Sequence, residues 1–166
     1  MMIKYSELLN NGHWTPIELN NVSLSLKTKN ILIANSSLSH ILKMYCNVFS
    51  VQLLNLPESN IFGIEKESML KRSVVLKGDG VDWVVAQSFF RKDVKDLQYL
   101  QLTKSKEPIG FNIFKSQKTK RQDLRIYSFK YQEQHLLARK STIIFHENPI
   151  YLQEIFLKEC PIYNLS

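Results

Sequence analysis

The stretch that most constrains the fold runs from Met69 to Phe90, MLKRSVVLKGDGVDWVVAQSFF, and reads as two β-strands folded back on each other around Asp79-Gly80. An Asp-Gly pair between apolar runs is a strong hairpin signal, because both central residues of a type I′ turn need positive φ. With a regular two-residue loop, Gly78 faces Val81, Leu76 faces Trp83, Val74 faces Val85 and Arg72 faces Gln87. Side chains alternate along a strand, so Leu70, Arg72, Val74 and Leu76 share one face while Lys71, Ser73, Val75 and Lys77 share the other. That alternation puts Arg72 on the apolar side. A guanidinium there needs an anionic partner, since an unpaired buried charge costs several kcal/mol or more.

One domain over residues 1–166 is the expectation from the length, which is enough to bury a core without disulfides or metals. Apolar residues make up 44% of the chain, yet no run approaches the about 18 consecutive apolar residues of a membrane helix, so no membrane insertion is expected. The N-terminal MMIKYSELLNNGHW has neither an apolar secretory core nor an Arg-rich transit pattern, which predicts a soluble protein working where it is made. Cys46 and Cys160 define no disulfide framework or metal site and read as buried free thiols in a reducing compartment. The net charge of +7 raises a nucleic-acid role, but only the Lys115–Arg121 segment, KSQKTKR, is dense enough to form a patch. A solvated loop between a helix and a strand is the favoured reading of that run, and a diffuse positive field would also steer a small dianion. The bias toward Lys, Asn and Ile points to an AT-rich genome such as that of an organelle.

Along the chain, residues 1–20 lack clear periodicity and are expected to wrap over the domain, anchored by Trp14 and punctuated by Pro16. Amphipathic helices are predicted over about 23–33 and from Ser36-Ser37, either of which can cap a helix burying Leu38, Ile41, Leu42 and Tyr45. A β-rich segment over 47–56 and a loop over 57–60 lead into the hairpin. Beyond it, 92–102 reads as a short helix and Pro108 as the first residue of another, leaving the N–H groups of Ile109 and Gly110 without helical partners. Three strands follow, over 123–131, 136–145 and 150–157. The last one carries an anomaly: Ile150, Leu152, Glu154 and Phe156 share a face, which leaves a carboxylate among apolar side chains. A structural ion pair with Arg139 or Arg72, or a partly wet face, accounts for Glu154 as readily as a functional role does. No repeat, Gly-rich phosphate loop, GxSxG or CxxC is present, and His13, His40, His135 and His146 show no metal-ligand spacing, so neither metal nor cofactor is expected. Chemistry therefore falls to arginine and glutamate.

Arg72 seven residues before the Asp-Gly turn, the Pro108-Ile109-Gly110 helix start, the segment Ala138-Arg139-Lys140-Ser141, and the C-terminal Gln153-Glu154-Ile155-Phe156-Leu157 with Pro161-Ile162-Tyr163 occur in an order that resembles the chorismate lyase family, including its plastid-encoded and cyanobacterial members. The likeness covers about residues 22 to 163. It implies an α+β fold, an antiparallel β-sheet covered by helices and enclosing a small aromatic product, which agrees with hairpins interleaved with short helices. The resemblance implies that Arg72 and the backbone N–H groups of Leu38 and Ile109 bind a ring carboxylate, and that Glu154 meets the hydroxyl at the far end of the ring. Arg139 lies in a family-typical basic segment without an assigned role. Many bacterial members carry a second arginine where this chain has Gln87, which donates hydrogen bonds but no charge, so Gln87 marks the place where affinity for the enolpyruvyl carboxylate would differ.

The implied reaction converts chorismate to 4-hydroxybenzoate and pyruvate without a cofactor, supplying a quinone ring precursor for plastoquinone or ubiquinone, in plastid stroma or cytoplasm. Arg72 and Glu154 would carry the catalysis; the small-molecule substrate is the one partner expected of a monomer. Two other readings compete. A domain of the same fold can bind a small aromatic acid without converting it, as in effector-binding halves of transcription regulators, although no helix-turn-helix segment precedes this one. A basic RNA-binding module would show salt-dependent binding, but the chain lacks a stacking-aromatic motif of the RRM kind.

Overall fold

The computed structural model describes residues 2–55, 69–114 and 119–166, without the side chains of residues 2–4, 111 and 112. The loop expected at 57–60 and most of the basic run at 115–118 lie outside the described residues. In chain order the elements are helix α1 (Met2–Asn11), strand β1 (His13–Pro16), α2 (Leu26–Leu32), α3 (Leu38–Lys43), β2 (Phe49–Leu54), β3 (Met69–Gly78), β4 (Val81–Arg91), α4 (Leu97–Leu102), α5 (Ile109–Ile113), β5 (Lys120–Tyr131), β6 (Gln134–Phe145) and β7 (Asn148–Phe156). Short 3₁₀ turns cover Leu19–Asn21 and Pro161–Tyr163. The strands form one antiparallel sheet in the order β1-β5-β6-β7-β4-β3-β2. This is the α+β architecture expected from the sequence.

Local chemistry sets the element ends. Asp79 and Gly80 take φ of 50° and 80°, as a type I′ turn requires. The Asp79 carboxylate also accepts from Val48 N at 2.8 Å and Asn47 N at 3.1 Å, tying the turn to the connection between α3 and β2. Each of three helices starts at a side-chain cap: Ser25 accepts from Thr28 N, Ser37 from His40 N and Asp96 from Tyr99 N. The Asp96 cap explains why α4 begins five residues later than the periodicity of 92–102 suggested. Pro108 is itself the cap of α5, so Ile109 is the first helical residue. Tyr45, expected in the core, is 39% exposed, because α3 ends at Lys43 and its apolar stripe is complete with Leu38 and Leu42.

The N-terminal segment is more ordered than its sequence suggested. α1 lies across one face of the sheet, where Tyr5 packs on Val75 and Val85, and Leu8 on Phe129, Leu136, Ala138 and Ile155. Helices α2 to α5 cover the opposite face in two separate cores. One gathers Ile31, Leu32, Leu38 and Leu42 on Val74, Leu76, Val84 and Phe156; the other gathers Tyr99, Leu102 and Ile113 on Phe90, Ile143, Ile150 and Leu152. Polar side chains lie at the seam between these two cores.

Two irregularities decide which side chains reach that seam. Between β3 and β4 the register shifts at Leu76/Lys77, so Lys77 pairs with Asp82 but Leu76 pairs with Val84, leaving Trp83 as the extra residue. The register expected from a regular hairpin is therefore corrected by one residue beyond the shift: Val74 faces Ala86, Arg72 faces Ser88, and Gln87 faces Ser73 on the far side of the sheet. A second shift lies between Gln122 and Arg125 on β5, where Asp123 adopts a φ of 53°. It brings odd-numbered Arg121 onto the same face as even-numbered Ile126, opposite Ile143 and Arg139 respectively.

Candidate active site

At the seam lies a cavity with a free volume of about 30 Å³, lined by Arg72, Ala86, Ser88, Leu152 and Glu154 from the sheet, Leu38 from α3, Ile109 and Gly110 from α5, and Arg121 from β5. This is room for about one water molecule, so a ring can enter only if lining groups move. A larger hollow of about 490 Å³ beside Ile17, Ile33, Leu124 and Ile126 has only Glu18 and Arg125 as charged lining residues, and both are exposed. Buried charge is concentrated at the smaller cavity.

Arg72 is 4% exposed. Its Nε and one Nη donate to the carbonyl of Ser105 at 3.2 and 3.1 Å, and the same Nη donates to the carbonyl of Glu107 at 2.5 Å. These neutral acceptors belong to the connection between α4 and α5, and among the described residues no carboxylate forms an ion pair with Arg72. Desolvation pushes the guanidinium down to about 10, still charged at neutral pH. A buried cation with only carbonyl partners at a cavity wall is a site prepared for an anion.

Two helix starts face the same space. Leu38 and Ile109 are each the first residue of a helix, so their N–H groups have no intrahelical acceptor, and both residues line the cavity. Gly110 lets the two starts approach. A Cβ there would stand 2.3 Å from Ser37 Oγ and 3.0 Å from Ser37 Cβ.

Glu154 is 3% exposed, and the apolar surroundings expected from its strand pattern are only half of its environment. Arg139, directly opposite on β6, donates from Nε to Glu154 Oε1 at 2.7 Å and from Nη2 to Oε2 at 3.5 Å. Its Nη1 donates to the carbonyls of Leu32 at 3.0 Å, Ile31 at 3.4 Å and Ala34 at 3.5 Å, so Arg139 joins Glu154 to the end of α2. The structural ion pair weighed for Glu154 is thus present with Arg139, not with Arg72. A pair of this kind does not remove Glu154 from the site, because its carboxylate still lines the cavity.

Arg121, the last residue of the basic run that its composition marks as a solvated loop, is instead buried at this cavity. Its side chain is only 2% exposed; one Nη lies 3.8 Å from Glu154 Oε1 and donates to Ser141 Oγ at 2.6 Å, and the guanidinium stands 5.4 Å above the Phe114 ring. Burial, reinforced by repulsion from Arg139 and offset by Glu154, pushes it down to about 10. The sole sequence signal was its place at the edge of a predicted strand.

Gln87 is not brought to this cavity. It is buried on the α1 side of the sheet, donating to Ser73 Oγ at 3.0 Å and accepting from Gln153 Nε2 at 2.7 Å. Among the described residues no cluster of three or more His, Cys, Asp or Glu is placed to hold a metal, and no helix is long and apolar enough to cross a membrane.

Comparison with known proteins gives this geometry a context. Residues 8–166 match the family model described as chorismate lyase. A protein of Aliivibrio fischeri described as a probable chorismate pyruvate-lyase is 31% identical over 142 residues, covering 80% of this chain and 79% of its own. A counterpart in Photobacterium profundum with the same description is 30% identical, covering 96% and 93%. A solved ligand-binding domain from Bordetella bronchiseptica, assigned to the GntR family of transcriptional regulators, is 13% identical with a TM-score of 0.43, covering 69% of this chain and 87% of that one.

Proposed function

The chain belongs to the chorismate lyase family and is a carbon–oxygen lyase that converts chorismate to 4-hydroxybenzoate and pyruvate; we propose that it does so in the seam cavity, with Arg72 and Glu154 at opposite ends of the ring. The single observation that carries this placement is the buried Arg72 guanidinium, which has only carbonyl partners among the described residues. The ring carboxylate docks on Arg72 and on the N–H groups of Leu38 and Ile109, a charge-assisted set of donors. Glu154, oriented by Arg139, accepts from the ring hydroxyl.

In this reaction the ether C–O bond breaks and its electron pair leaves with the enolpyruvyl oxygen. The ring carbon bearing the hydroxyl loses hydrogen, and the pyruvate methyl gains one. Aromatisation drives the step, so the protein's part is to hold one conformer and to stabilise charge as it shifts toward the leaving group. Fixing both ends of the ring serves the first task and the surrounding guanidinium groups serve the second. Entry needs the connection between α4 and α5 to lift, because Arg72 grips it through the Ser105 and Glu107 carbonyls. The same grip would slow product escape, making release a rate-limiting step.

The finer reading is of a soluble monomer in plastid stroma or cytoplasm whose product feeds a quinone ring and which takes no nucleic acid. It rests on composition and on the resemblance of the sequence motifs. Incubating the pure protein with chorismate tests the reaction: equimolar pyruvate and 4-hydroxybenzoate are expected. A folded sample that binds 4-hydroxybenzoate but releases neither product would instead be a non-catalytic binding domain.

A further inference from the structure

We propose that Arg121 binds the carboxylate of the enolpyruvyl group, supplying from β5 the second positive charge that Gln87 does not supply from β4. The proposal rests on the ring placement above and extends it to the part of chorismate that leaves.

Four observations converge on Arg121. Its side chain is buried against the cavity yet incompletely used: Nη1 donates to Ser141 Oγ, Nη2 reaches the Ser36 carbonyl at 3.4 Å, and Nε has no hydrogen-bond partner among the described residues. A buried unpartnered N–H on a cation is costly and calls for an acceptor that arrives with the ligand. Glu154 is not that acceptor, since its shorter contacts go to Arg139 and its approach to Arg121 is 3.8 Å. Charge points the same way. Arg121 and Arg139 share the carboxylate of Glu154 while Arg72, on the same cavity, pairs with none among the described residues; three guanidinium groups thus meet one carboxylate, and chorismate brings two more.

The connectivity of the substrate limits where the second carboxylate can go. The enolpyruvyl ether is attached to the ring carbon next to the one that bears the hydroxyl. A ring with its first carboxylate at Arg72 and its hydroxyl at Glu154 therefore carries the second carboxylate on one of the two flanks beside Glu154, and Arg121 occupies one of them. The β5 bulge is the structural device: without the extra residue between Gln122 and Arg125, Arg121 would lie on the α1 face with Arg125 and Tyr127. A guanidinium there would also stabilise the negative charge that gathers on the enolpyruvyl fragment as its C–O bond breaks.

The test compares ligands with one and two carboxylates. In Arg121→Gln, kcat/KM for chorismate is expected to fall about 10- to 100-fold, chiefly through KM, while Kd for 4-hydroxybenzoate shifts by less than about 3-fold. Arg121→Lys should recover part of the loss. The stable diacid 3-(carboxymethoxy)benzoate should lose affinity in Arg121→Gln, and benzoate should not. Equal loss for both ligands, or for neither, overturns the proposal. Arg72→Gln serves as the control: unchanged 4-hydroxybenzoate affinity there would overturn the ring placement itself. If Arg121→Gln does not fold, the structure of the unaltered protein with 3-(carboxymethoxy)benzoate decides. Its ether-borne carboxylate is expected within hydrogen-bond distance of Arg121, and a carboxylate elsewhere rejects the assignment.

Discussion

Arg139 and Gln87 are both fully buried polar residues near the seam cavity, and they are expected to fail in opposite ways. Arg139 makes its bonds to Glu154 and to three carbonyls at the end of α2. Arg139→Met should destabilise the fold by about 3–5 kcal/mol, because it strands a buried carboxylate, and should lower turnover through a misoriented Glu154. Gln87 belongs to a chain from Ser73 to Gln153 on the other face of the sheet. Gln87→Ala should cost about 1–3 kcal/mol of stability yet leave kcat/KM within about 2-fold at a temperature where the variant stays folded. Denaturant titration beside steady-state kinetics reads both quantities. A large kinetic loss with little loss of stability in Gln87→Ala would restore that residue to the site.

At the scale of elements, the two bulges and the contact between α3 and α5 build the cavity. The period of two along a strand correctly placed Arg72, Glu154 and their apolar neighbours on one face, since β7 and the outer half of β3 are regular. It failed for Gln87, which lies beyond an extra residue that inverts the alternation. Arg121 was hidden for another reason: its basic run reads as a loop, and neither Trp83 nor Asp123 carries a signal of a bulge in the sequence itself. The helix starts were legible because Ser37 and Pro108 are local signals, whereas α1 was not: Tyr5 and Leu8 give too brief a stripe to stand out before Gly12. Gly110 joins element to site. Gly110→Ala would press a methyl group against Ser37, parting the N–H groups of Leu38 and Ile109. Calorimetric titration should show 4-hydroxybenzoate binding weakened about 10-fold or more; unchanged binding would mean that the two N–H groups do not share one carboxylate.

Over the whole molecule, one face of the sheet carries two apolar cores, and the buried side chains of Arg72, Arg121, Arg139 and Glu154 occupy the seam between them. Cys160 belongs to the first of those cores and reports on its integrity. Burial pushes its thiol up to about 12, and Cys46, half-buried beside Asp79, is also raised. A higher value means less thiolate at any given pH, so at pH 8 a disulfide reagent should label Cys46 slowly, faster as pH rises, and label Cys160 only when denaturant opens the core. Two promptly reacting thiols in native protein would show that this core is not closed. The fold class was readable from hairpins and short helices, and the family from ordered motifs; the pairing of Glu154 with Arg139 needed strand order, which brings β6 and β7 together at that register.

The most direct measurement is the structure of the protein with 4-hydroxybenzoate bound. The product carboxylate is predicted to lie on Arg72 and the N–H groups of Leu38 and Ile109, with its hydroxyl within about 2.5–3.0 Å of a Glu154 oxygen. A product molecule bound in the hollow beside Ile17 and Leu124, or turned so that its carboxylate meets Arg121 and its hydroxyl meets Arg72, would contradict this account.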